Sequence, residues 1–409
     1  MSNLSERMRN LTPEQQELLH RRMQRESSER PPVVLPSVSV TAPVPAPARR
    51  YGPRKIDFSL FFFSADGNAD EGQRYRLLLE SARLADANGF AAVWTPERHF
   101  QAFGGLYPNP SVLSAALAMI TQRVQLRAGS LVLPLHHPVR VAEDWALIDN
   151  LSGGRAAISF ATGWHEHDYV IAPENYEDRR ELMFKNISVV RRLWAGEEVE
   201  IVGVGGRKIM VRTLPRPVQK DLPFWVTVAS ERTWQRAGEI GANVLTAFSS
   251  SLDELRQHIK NYRKARMENG HDPRTGIVSL MLHTYIGTHI DQVRTLVKGP
   301  MKAYLQTYIN QFRPMAGENI VDPASPEMKS LIDVVFEHYF DQNSLLGTAE
   351  KCADTIEKVS EAGVNDLACL LDFGLDHETT MDGLRRLSDL RRSLQAQPFG
   401  PAISLESGS

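Results

Sequence analysis

The feature that most constrains the fold of this chain is a regular alternation of short apolar runs and amphipathic segments between residues 54 and 396. Each apolar run has the length of a buried strand, and the segment after it has the apolar period of a helix. The predicted strands are 56–63, 91–94, 125–133, 156–161, 224–228, 243–246, 277–286 and 367–371. Eight such units are typical of an α/β fold of the (β/α)8 TIM barrel type. A doubly wound sheet is the alternative, but it would place GxGxxG after its first strand, and none occurs there.

Four further segments surround or interrupt the barrel predicted for residues 54–396. Thr288–Ala362, between the seventh and eighth strands, is too long for one helix and one loop, so we expect inserted helices there. Residues 1–26 read as a short amphipathic helix that starts at Thr12-Pro13, and a Pro-rich linker follows at 27–53. Because so short a helix is marginal alone, we interpret it as a docking segment or as a cover for its own barrel. Residues 397–409 are predicted to be a flexible tail.

Composition excludes several classes of function. The chain has 47 basic and 49 acidic residues, a net charge of -2, and no basic stripe or zinc spacing, so we predict no nucleic-acid partner. Its two cysteines, Cys352 and Cys369, lie outside any CxxC and are expected to be reduced core thiols. The N-terminus is polar and no apolar run is long enough to cross a membrane, so we expect a cytoplasmic protein without membrane contact.

Polar groups follow several predicted strands, and in a barrel the ends of the strands meet at one mouth. These groups are Glu97, Arg98 and His99 after strand two, Gly129 and Ser130 in strand three, Thr162, Gly163 and Trp164 after strand four, and Ser230 and Thr233 after strand five. Phe63 and Trp164 would help to wall a dry cavity there, and His99 could act as acid, base or hydrogen-bond donor. The alternative is a solvated loop in which Glu97 simply pairs with Arg98.

An anion site is predicted at the helix after strand five. Ser230 and Thr233 fall at its cap and third positions, where free amides and the helix dipole favour a phosphate, with Arg179 or Arg180 nearby. A plain N-cap without a ligand is the alternative. His165, Glu166, His167 and Asp168 crowd one loop, but a barrel metal site would draw ligands from several strands, so no metal is predicted.

Several of these stretches together resemble the bacterial luciferase-like flavin monooxygenase superfamily. The motifs are Trp94–Phe103, Leu131–Pro134 with His137–Arg140 and Glu143–Asp144, and Leu151–Arg155. The resemblance is greatest to the luciferase-like monooxygenases of nonribosomal peptide and polyketide biosynthesis, in which Ala161–His165 and Gly299–Met301 are typical stretches. It extends from about Lys55 to Phe373.

The resemblance implies reduced FMN, supplied by a separate reductase, and O2 as co-substrate at the mouth of the barrel. Phe63 would wall the site, and Gly129-Ser130 would be a non-proline cis peptide beneath the flavin ring. Thr162, Gly163 and Trp164 would lie along the ring and ribityl chain, and Arg180, Ser230 and Thr233 would hold the phosphate. Glu97, Arg98 and His99 would be the catalytic residues, acting on a flavin hydroperoxide.

Two residues depart from the luciferase pattern. Arg98 stands where luciferases have a histidine between Glu97 and His99, and a guanidinium cannot act as a general base. It could stabilise a peroxide anion or bind an acidic substrate, so we do not predict light emission on an aldehyde. Thr162 stands where luciferases have an arginine, which weakens the phosphate site implied by the resemblance.

These observations predict a monooxygenase that oxidises an intermediate of secondary metabolism, either free or tethered to a carrier protein of a peptide synthetase or polyketide synthase. A deazaflavin-dependent hydride-transfer enzyme is one alternative, because the barrel family includes such enzymes. A flavin-binding assembly-line component without turnover is another. The resemblance also implies a homodimer through helices beside strands two and three, where the small residues of Ser111–Ala118 would permit close packing.

Overall fold

A computed structural model describes residues 56–63, 73–101, 104–163, 165–248, 251–316 and 325–396. Its main element is a closed barrel of parallel strands in the order β1-β2-β3-β4-β7-β8-β9-β11, in which β11 returns to β1. The barrel strands are β1 (Asp57–Phe61), β2 (Ala92–Thr95), β3 (Gln125–Val132), β4 (Ala156–Ala161), β7 (Phe224–Thr227), β8 (Asn243–Ala247), β9 (Val278–Gly287) and β11 (Asp366–Leu370). The predicted TIM barrel is therefore confirmed.

Helices surround the barrel on its outside and form most of the insertion between its last two strands. They are α1 (Arg76–Ala87), α2 (Pro110–Ala118), α3 (Pro138–Ser152), α4 (Arg179–Ala195), α5 (Glu231–Glu239), α6 (Leu252–Glu268), α7 (Ile290–Ala316), α8 (Pro326–Gln342), α9 (Ala349–Glu361) and α10 (His377–Ala396). A two-stranded antiparallel hairpin, β5 (Val199–Val202) with β6 (Lys208–Val211), follows α4 as the sequence predicted. Helix ends follow local chemistry: Asn109 caps α2 with its side chain, and Gly153 ends α3 with φ 67°.

The two faces of each barrel strand belong to different parts of the core. In β1, Phe58 and Leu60 point outward and join the large apolar cluster between strands and helices. Ser59 points inward, where its hydroxyl accepts a hydrogen bond from Trp94 Nε1 at 2.8 Å. This alternation follows from the two-residue period of a strand, and it fills the closed end of the barrel with side chains. The open end is left for a site.

The insertion between β9 and β11 contains the predicted helices and one strand that the sequence analysis missed. Helices α7, α8 and α9 confirm the expectation of inserted helices. The missed strand is β10 (Leu345–Thr348), which pairs in parallel with Thr284–Gly287 at the far end of β9. Four residues between two helices give too short an apolar run to predict a strand, because the partner strand rather than the local pattern fixes the conformation.

Several predicted boundaries differ from the structure. The first strand ends at Phe61, since Phe62 and Phe63 continue beyond it, and the last helix begins at His377, well before the predicted apolar stripe. The predicted helix at 1–26, the linker at 27–53 and the tail at 397–409 lie outside the described residues. No helix in the part of the chain that the structure describes is long and apolar enough to span a bilayer.

Candidate active site

A cavity of about 380 Å³ opens at the carboxyl ends of the barrel strands, where sites in this fold are found. Its wall is built from the ends of β1, β2, β3, β4, β7, β8 and β9 and the loops that follow them. The sequence-predicted residues among those that line it are Phe63, Glu97, Arg98, Gly129, Ser130, Thr162 and Gly163. His99, Arg180, Ser230 and Thr233 do not line it, and Trp164 lies outside the described residues. The loop after β2 therefore presents Glu97 and Arg98 to the cavity rather than His99.

Glu97 is buried at the cavity wall and accepts three hydrogen bonds. Its Oε1 lies 2.6 Å from His136 Nε2 and 3.0 Å from His99 Nε2, and its Oε2 accepts from the Val132 backbone N–H at 2.7 Å. Burial alone would raise the pKa of Glu97, but the hydrogen bonds from His136, His99 and Val132 outweigh burial, so the pKa is lowered. The carboxylate is therefore ionised and orients two imidazoles.

Arg98 lies buried on the same wall and faces an acidic partner. Its Nη1 is 3.7 Å from Asp168 Oδ2, and its guanidinium carbon is 6.0 Å from the centre of the Phe63 ring. Burial raises the pKa of Asp168, and the positive charge of Arg98 only partly opposes this. The other carboxyl oxygen of Asp168, Oδ1, has no hydrogen-bond partner within the described residues. The two side chains give the cavity a fixed positive charge beside a carboxyl group that burial makes easier to protonate.

Three hydroxyl groups meet beneath the cavity where β3, β4 and β7 run side by side. Thr227 Oγ1 is hydrogen-bonded to Ser130 Oγ and lies 2.8 Å from Ser159 Oγ. The Gly129–Ser130 peptide bond is cis, and a Cβ on Gly129 would lie only 2.9 Å from Phe61 Cε2. Sequence reasoning missed Thr227, although its position two residues after the inward-facing Trp225 marks it as inward-facing too.

The loop after β4 packs closely against neighbouring side chains at Gly163. Gly163 has φ 64°, and a Cβ there would lie 2.8 Å from Val132 Cγ1. The Tyr169 hydroxyl donates a hydrogen bond to the Thr162 carbonyl, which fixes the turn that follows the strand. Glycine is needed at 163 because both the backbone conformation and the space exclude a side chain.

The predicted phosphate residues lie at the starts of two helices. Ser230 is the N-cap residue of α5, but its hydroxyl does not cap the helix and instead lies 2.9 Å from Thr233 Oγ1. Arg180 is exposed in the first turn of α4. Glu181 beside it lies 3.6 Å from Arg232, in the first turn of α5, so the two helix starts are adjacent. Glu181 also places a negative charge there, which Arg232 and Arg236 offset.

Within the described ranges, no group of three or more histidine, cysteine, aspartate or glutamate side chains could hold a metal ion. A barrel whose open end holds a cavity, a buried carboxylate–imidazole cluster and a fixed guanidinium defines a class of enzyme that binds organic molecules at that end. The family follows from the sequence match: residues 56–366 match the model of the luciferase-like monooxygenase family, and the chain belongs to that family.

Relatives and solved structures agree with this assignment. The chain is 24% identical over 337 residues to the oxygenase component of a flavin-dependent trigonelline monooxygenase from Acinetobacter baylyi, a match that covers 81% of this chain and 93% of that one. Among solved structures, the monooxygenase RslO1 from Streptomyces bottropensis superposes with a TM-score of 0.70 at 22% identity, covering 83% of this chain and 100% of RslO1.

Two further structures share the fold but differ in cofactor. The oxygenating constituent of 3,6-diketocamphane monooxygenase from Pseudomonas putida, in complex with FMN, has a TM-score of 0.65 at 20% identity and covers 81% of this chain and 96% of its own. An F420-dependent secondary alcohol dehydrogenase has a TM-score of 0.62 at 18% identity. This match covers 82% of this chain and 98% of the dehydrogenase chain. One of these two proteins is in complex with FMN and the other is F420-dependent, so the shared fold alone does not fix the cofactor.

Proposed function

We propose that this protein is an FMNH2-dependent monooxygenase that oxidises an intermediate of peptide or polyketide secondary metabolism. The observation that carries the proposal is the Glu97 carboxylate and the Arg98 guanidinium on the wall of an apolar cavity, with the His99 imidazole hydrogen-bonded to Glu97 behind that wall, in a chain of the luciferase-like monooxygenase family. An ionised carboxylate, an imidazole and a fixed positive charge are the groups that a proton-coupled oxidation needs.

The residues at the mouth of the barrel fit FMN in three respects. The cavity is of the size and apolar character of ligand sites, with Phe61, Phe63 and Met281 among its walls. Gly129 and Gly163 both line the cavity, so at these two positions its wall is main chain without a side chain, against which a flat ring could lie. The hydroxyls of Ser230 and Thr233 at the start of α5, with Arg180 on the adjacent helix, suit the phosphate.

When bound, reduced FMN would supply the electrons that activate O2. The roles of the protein follow from its own residues. Phe61 and Phe63 would exclude water from the cavity. Arg98, which stays positively charged, would stabilise negative charge that develops beside it, while Asp168 holds its guanidinium in place. His99 would accept or give a proton, and Glu97 would fix the orientation of its ring.

We propose that the protein belongs to a two-component system, in which a second protein reduces the flavin. The relative from Acinetobacter baylyi is itself named as an oxygenase component. We propose that a separate reductase delivers FMNH2 to this chain. A cytoplasmic location, where such reductases and nucleotides are found, belongs to the same proposal.

The substrate is proposed from the sequence resemblance to the assembly-line enzymes. If the natural substrate is bound to a carrier protein, the enzyme should be less active on the free acid, because part of the binding energy would come from the carrier. Comparing a carrier thioester with its free acid at equal concentration would test this. Equal kcat/KM for the two forms would argue against tethering. Docking of residues 1–26 to a synthetase module stays a prediction, since these residues lie outside the described part of the chain.

A homodimer is proposed through the helices beside β2 and β3. Apolar side chains are exposed on this surface: Val112 is 64% exposed on α2, Met119 is 71% exposed at its end, and Leu147 and Leu151 are 50% and 47% exposed on α3. Burying them would stabilise an interface. Light scattering at micromolar concentration would give the mass of a dimer, and replacing Val112 and Leu147 by Asp should yield monomers.

Deazaflavin-dependent hydride transfer is a second candidate, favoured by the fold shared with the F420-dependent dehydrogenase. Oxygen uptake measured with reduced FMN and with reduced F420 separates the two. We expect uptake with FMNH2 above that of free FMNH2, and its coupling to product to be lost in His99→Ala while FMN still binds. Substrate oxidation with F420 and no oxygen uptake would contradict the proposal. Binding of FMN without any turnover would instead favour a non-catalytic flavin-binding component.

A further inference from the structure

Among the described residues, seven polar side chains line the cavity at the open end of the barrel, and five of them are held by hydrogen bonds within the protein. The hydroxyls among these five bond to each other or to backbone carbonyls, and the carboxylate accepts from a backbone N–H. The five are Glu97, Ser130, Thr162, Thr227 and Thr246. The other two, Arg98 and Asp168, form the ion pair described above. A polar group of a bound molecule would therefore be recognised first at this pair.

The Asp168 carboxyl group lines the cavity but lacks the hydrogen bonds that a buried carboxyl group needs. Its side chain is only 3% exposed, and its Oδ1 has no hydrogen-bond partner within the described residues. Its Oδ2 lies 3.7 Å from Arg98 Nη1, which is beyond hydrogen-bond length. Buried polar atoms in native proteins are nearly always satisfied, because a missing partner is unfavourable. Whether ionised or protonated, the group keeps an oxygen that can accept, and a donor on a molecule in the cavity would satisfy it.

Both members of the pair are held in position by the loops that carry them. A Cβ at Gly104 would lie 2.6 Å from Arg98 Cγ, so the arginine side chain passes closely over that backbone. Asp168 lies in the short helix Glu166–Ile171, where its N–H donates to the His165 carbonyl at 3.1 Å. The protein therefore keeps a donor and an acceptor next to each other, without a direct hydrogen bond between them, before any ligand binds.

The charges around the pair favour an uncharged ligand group. The other titratable groups that act on Asp168 are His99, His165 and Glu97. A carboxylate of a ligand would meet the negative charges of Asp168 and Glu97, and an ammonium group would meet the positive charge of Arg98. A group that both accepts and donates a hydrogen bond, and carries no charge, suits both sides of the pair.

We propose that Arg98 and Asp168 together recognise an amide edge, in which a C=O group accepts from the guanidinium and the adjacent N–H donates to the carboxyl group. Such an edge occurs in an amide-containing substrate, and also in the pyrimidine ring of a flavin, where one N–H lies between two carbonyls. Occupation of the cavity by an organic molecule rests on the proposed function, whereas the pairing of Arg98 with Asp168 does not. The pair thus selects an amide over a ketone or an acid of the same shape.

The test compares ligands of similar shape that differ in the N–H group, with binding rather than turnover as the readout. Ligand-detected NMR would give the dissociation constants of γ-butyrolactam and cyclopentanone, which share a five-membered ring and a carbonyl group. We expect the wild type to bind the lactam about fivefold or more tightly, because only the lactam can donate to Asp168. Quenching of flavin fluorescence would compare FMN with N3-methyl-FMN, which lacks the N–H, in the same way.

Asp168→Asn removes the acceptor with little change in shape. Its amide oxygen should turn towards Arg98, so that its NH2 group would meet the N–H of the ligand, donor against donor. Any preference of the wild type for the lactam, or for FMN over N3-methyl-FMN, should therefore be lost. Glu166→Gln is the matched control, because it removes a carboxylate from the same short helix, but this side chain is 60% exposed and does not line the cavity. It should keep the preferences of the wild type.

Repeating the lactam titration with FMN bound separates the two sources of the amide edge. A lactam preference that persists with FMN in place assigns the pair to the substrate. A preference that disappears, together with weaker binding of N3-methyl-FMN than of FMN, assigns the pair to the flavin.

Equal binding within both ligand pairs in the wild type would overturn the proposal, and this comparison does not depend on the folding of any variant. Preferences that survive in Asp168→Asn, or that are lost in Glu166→Gln, would overturn it as well. Because none of these measurements needs O2 or turnover, their outcome is independent of the oxygen-uptake test of the proposed function.

Discussion

Arg127 Nη1 donates a hydrogen bond to Asp366 Oδ2 at 2.7 Å in the closed end of the barrel, where both side chains are almost fully buried. The guanidinium carbon lies 4.7 Å and 4.5 Å from the ring centres of Trp94 and Trp225. Hydroxyls of Ser59 and Ser279 donate to the same carboxylate. This pair links β3 to β11 across the barrel interior, opposite the cavity.

Arg127→Met should destabilise the fold strongly. It leaves the Asp366 carboxylate buried without its cation, and breaking a buried pair in this way costs about 3–5 kcal/mol. Urea unfolding would measure the loss. Arg140→Met removes a surface ion pair with Glu143 and Asp144 and should cost less than about 1 kcal/mol. Equal losses of unfolding free energy in the two variants would mean that the buried ion pair stabilises the fold no more than the surface ion pair does.

Gly104→Ala should disturb the cavity wall through Arg98. Gly104 has φ 83°, and a Cβ there would lie 2.6 Å from Arg98 Cγ, so the guanidinium that lines the cavity must move. Gly206→Ala is the matched control, because its φ is 75° and nothing lies within 4 Å of its Cβ. Both variants should lose about 1–2 kcal/mol of stability from the backbone alone. Only Gly104→Ala should also lower turnover, which a substrate-oxidation assay would show.

The buried His283 should make the protein less stable as the pH falls. Burial lowers its pKa from 6.5 to about 3, and Nδ1 lies 2.6 Å from the Tyr339 hydroxyl. Below pH 6.5 the unfolded chain binds a proton at this residue and the folded chain does not, so this residue reduces stability by about 1.4 kcal/mol per pH unit towards pH 3. Unfolding in urea at several pH values should show a shallower slope for His283→Phe. Tyr339→Phe keeps the histidine and should keep the steep slope.

Both cysteines should be inert in the native protein. Burial raises the pKa of Cys352 to about 12 and raises that of Cys369 further, so neither forms a thiolate at neutral pH. A chromogenic disulfide reagent at pH 8 should titrate no thiol in the folded enzyme and two after denaturation. Rapid reaction of one equivalent before denaturation would contradict this expectation.

Much of the barrel could be predicted because its strands are buried on both faces and are separated by amphipathic helices. The apolar run at 156–161 coincides with β4, since nothing in its surroundings competes with the local pattern. The strand β10 could not be predicted, because only its pairing with the end of β9 holds it extended. Longer-range contacts, not propensity, decide such short elements.

The candidate site was predicted in position more than in detail. Glu97, Arg98 and His99 come to one wall, but the sequence does not show that Glu97 faces the cavity while His99 lies behind it. His136 enters the cluster from a different loop, 39 residues along the chain, so no local motif marks it. Thr227 could have been found from strand alternation, whereas the pairing of Arg98 with Asp168 depends on how two loops meet.

The long strand β9 belongs to two structures at once. Its first residues close the barrel against β8, and Met281 lines the cavity, while Thr284–Gly287 pair with β10 of the insertion. The insertion is therefore hydrogen-bonded into the same sheet whose ends form the floor of the site. Substitutions that reshape the insertion for a new substrate would therefore also affect the barrel through the backbone of β9. Selection for substrate specificity and selection for folding would then act on the same residues of this strand.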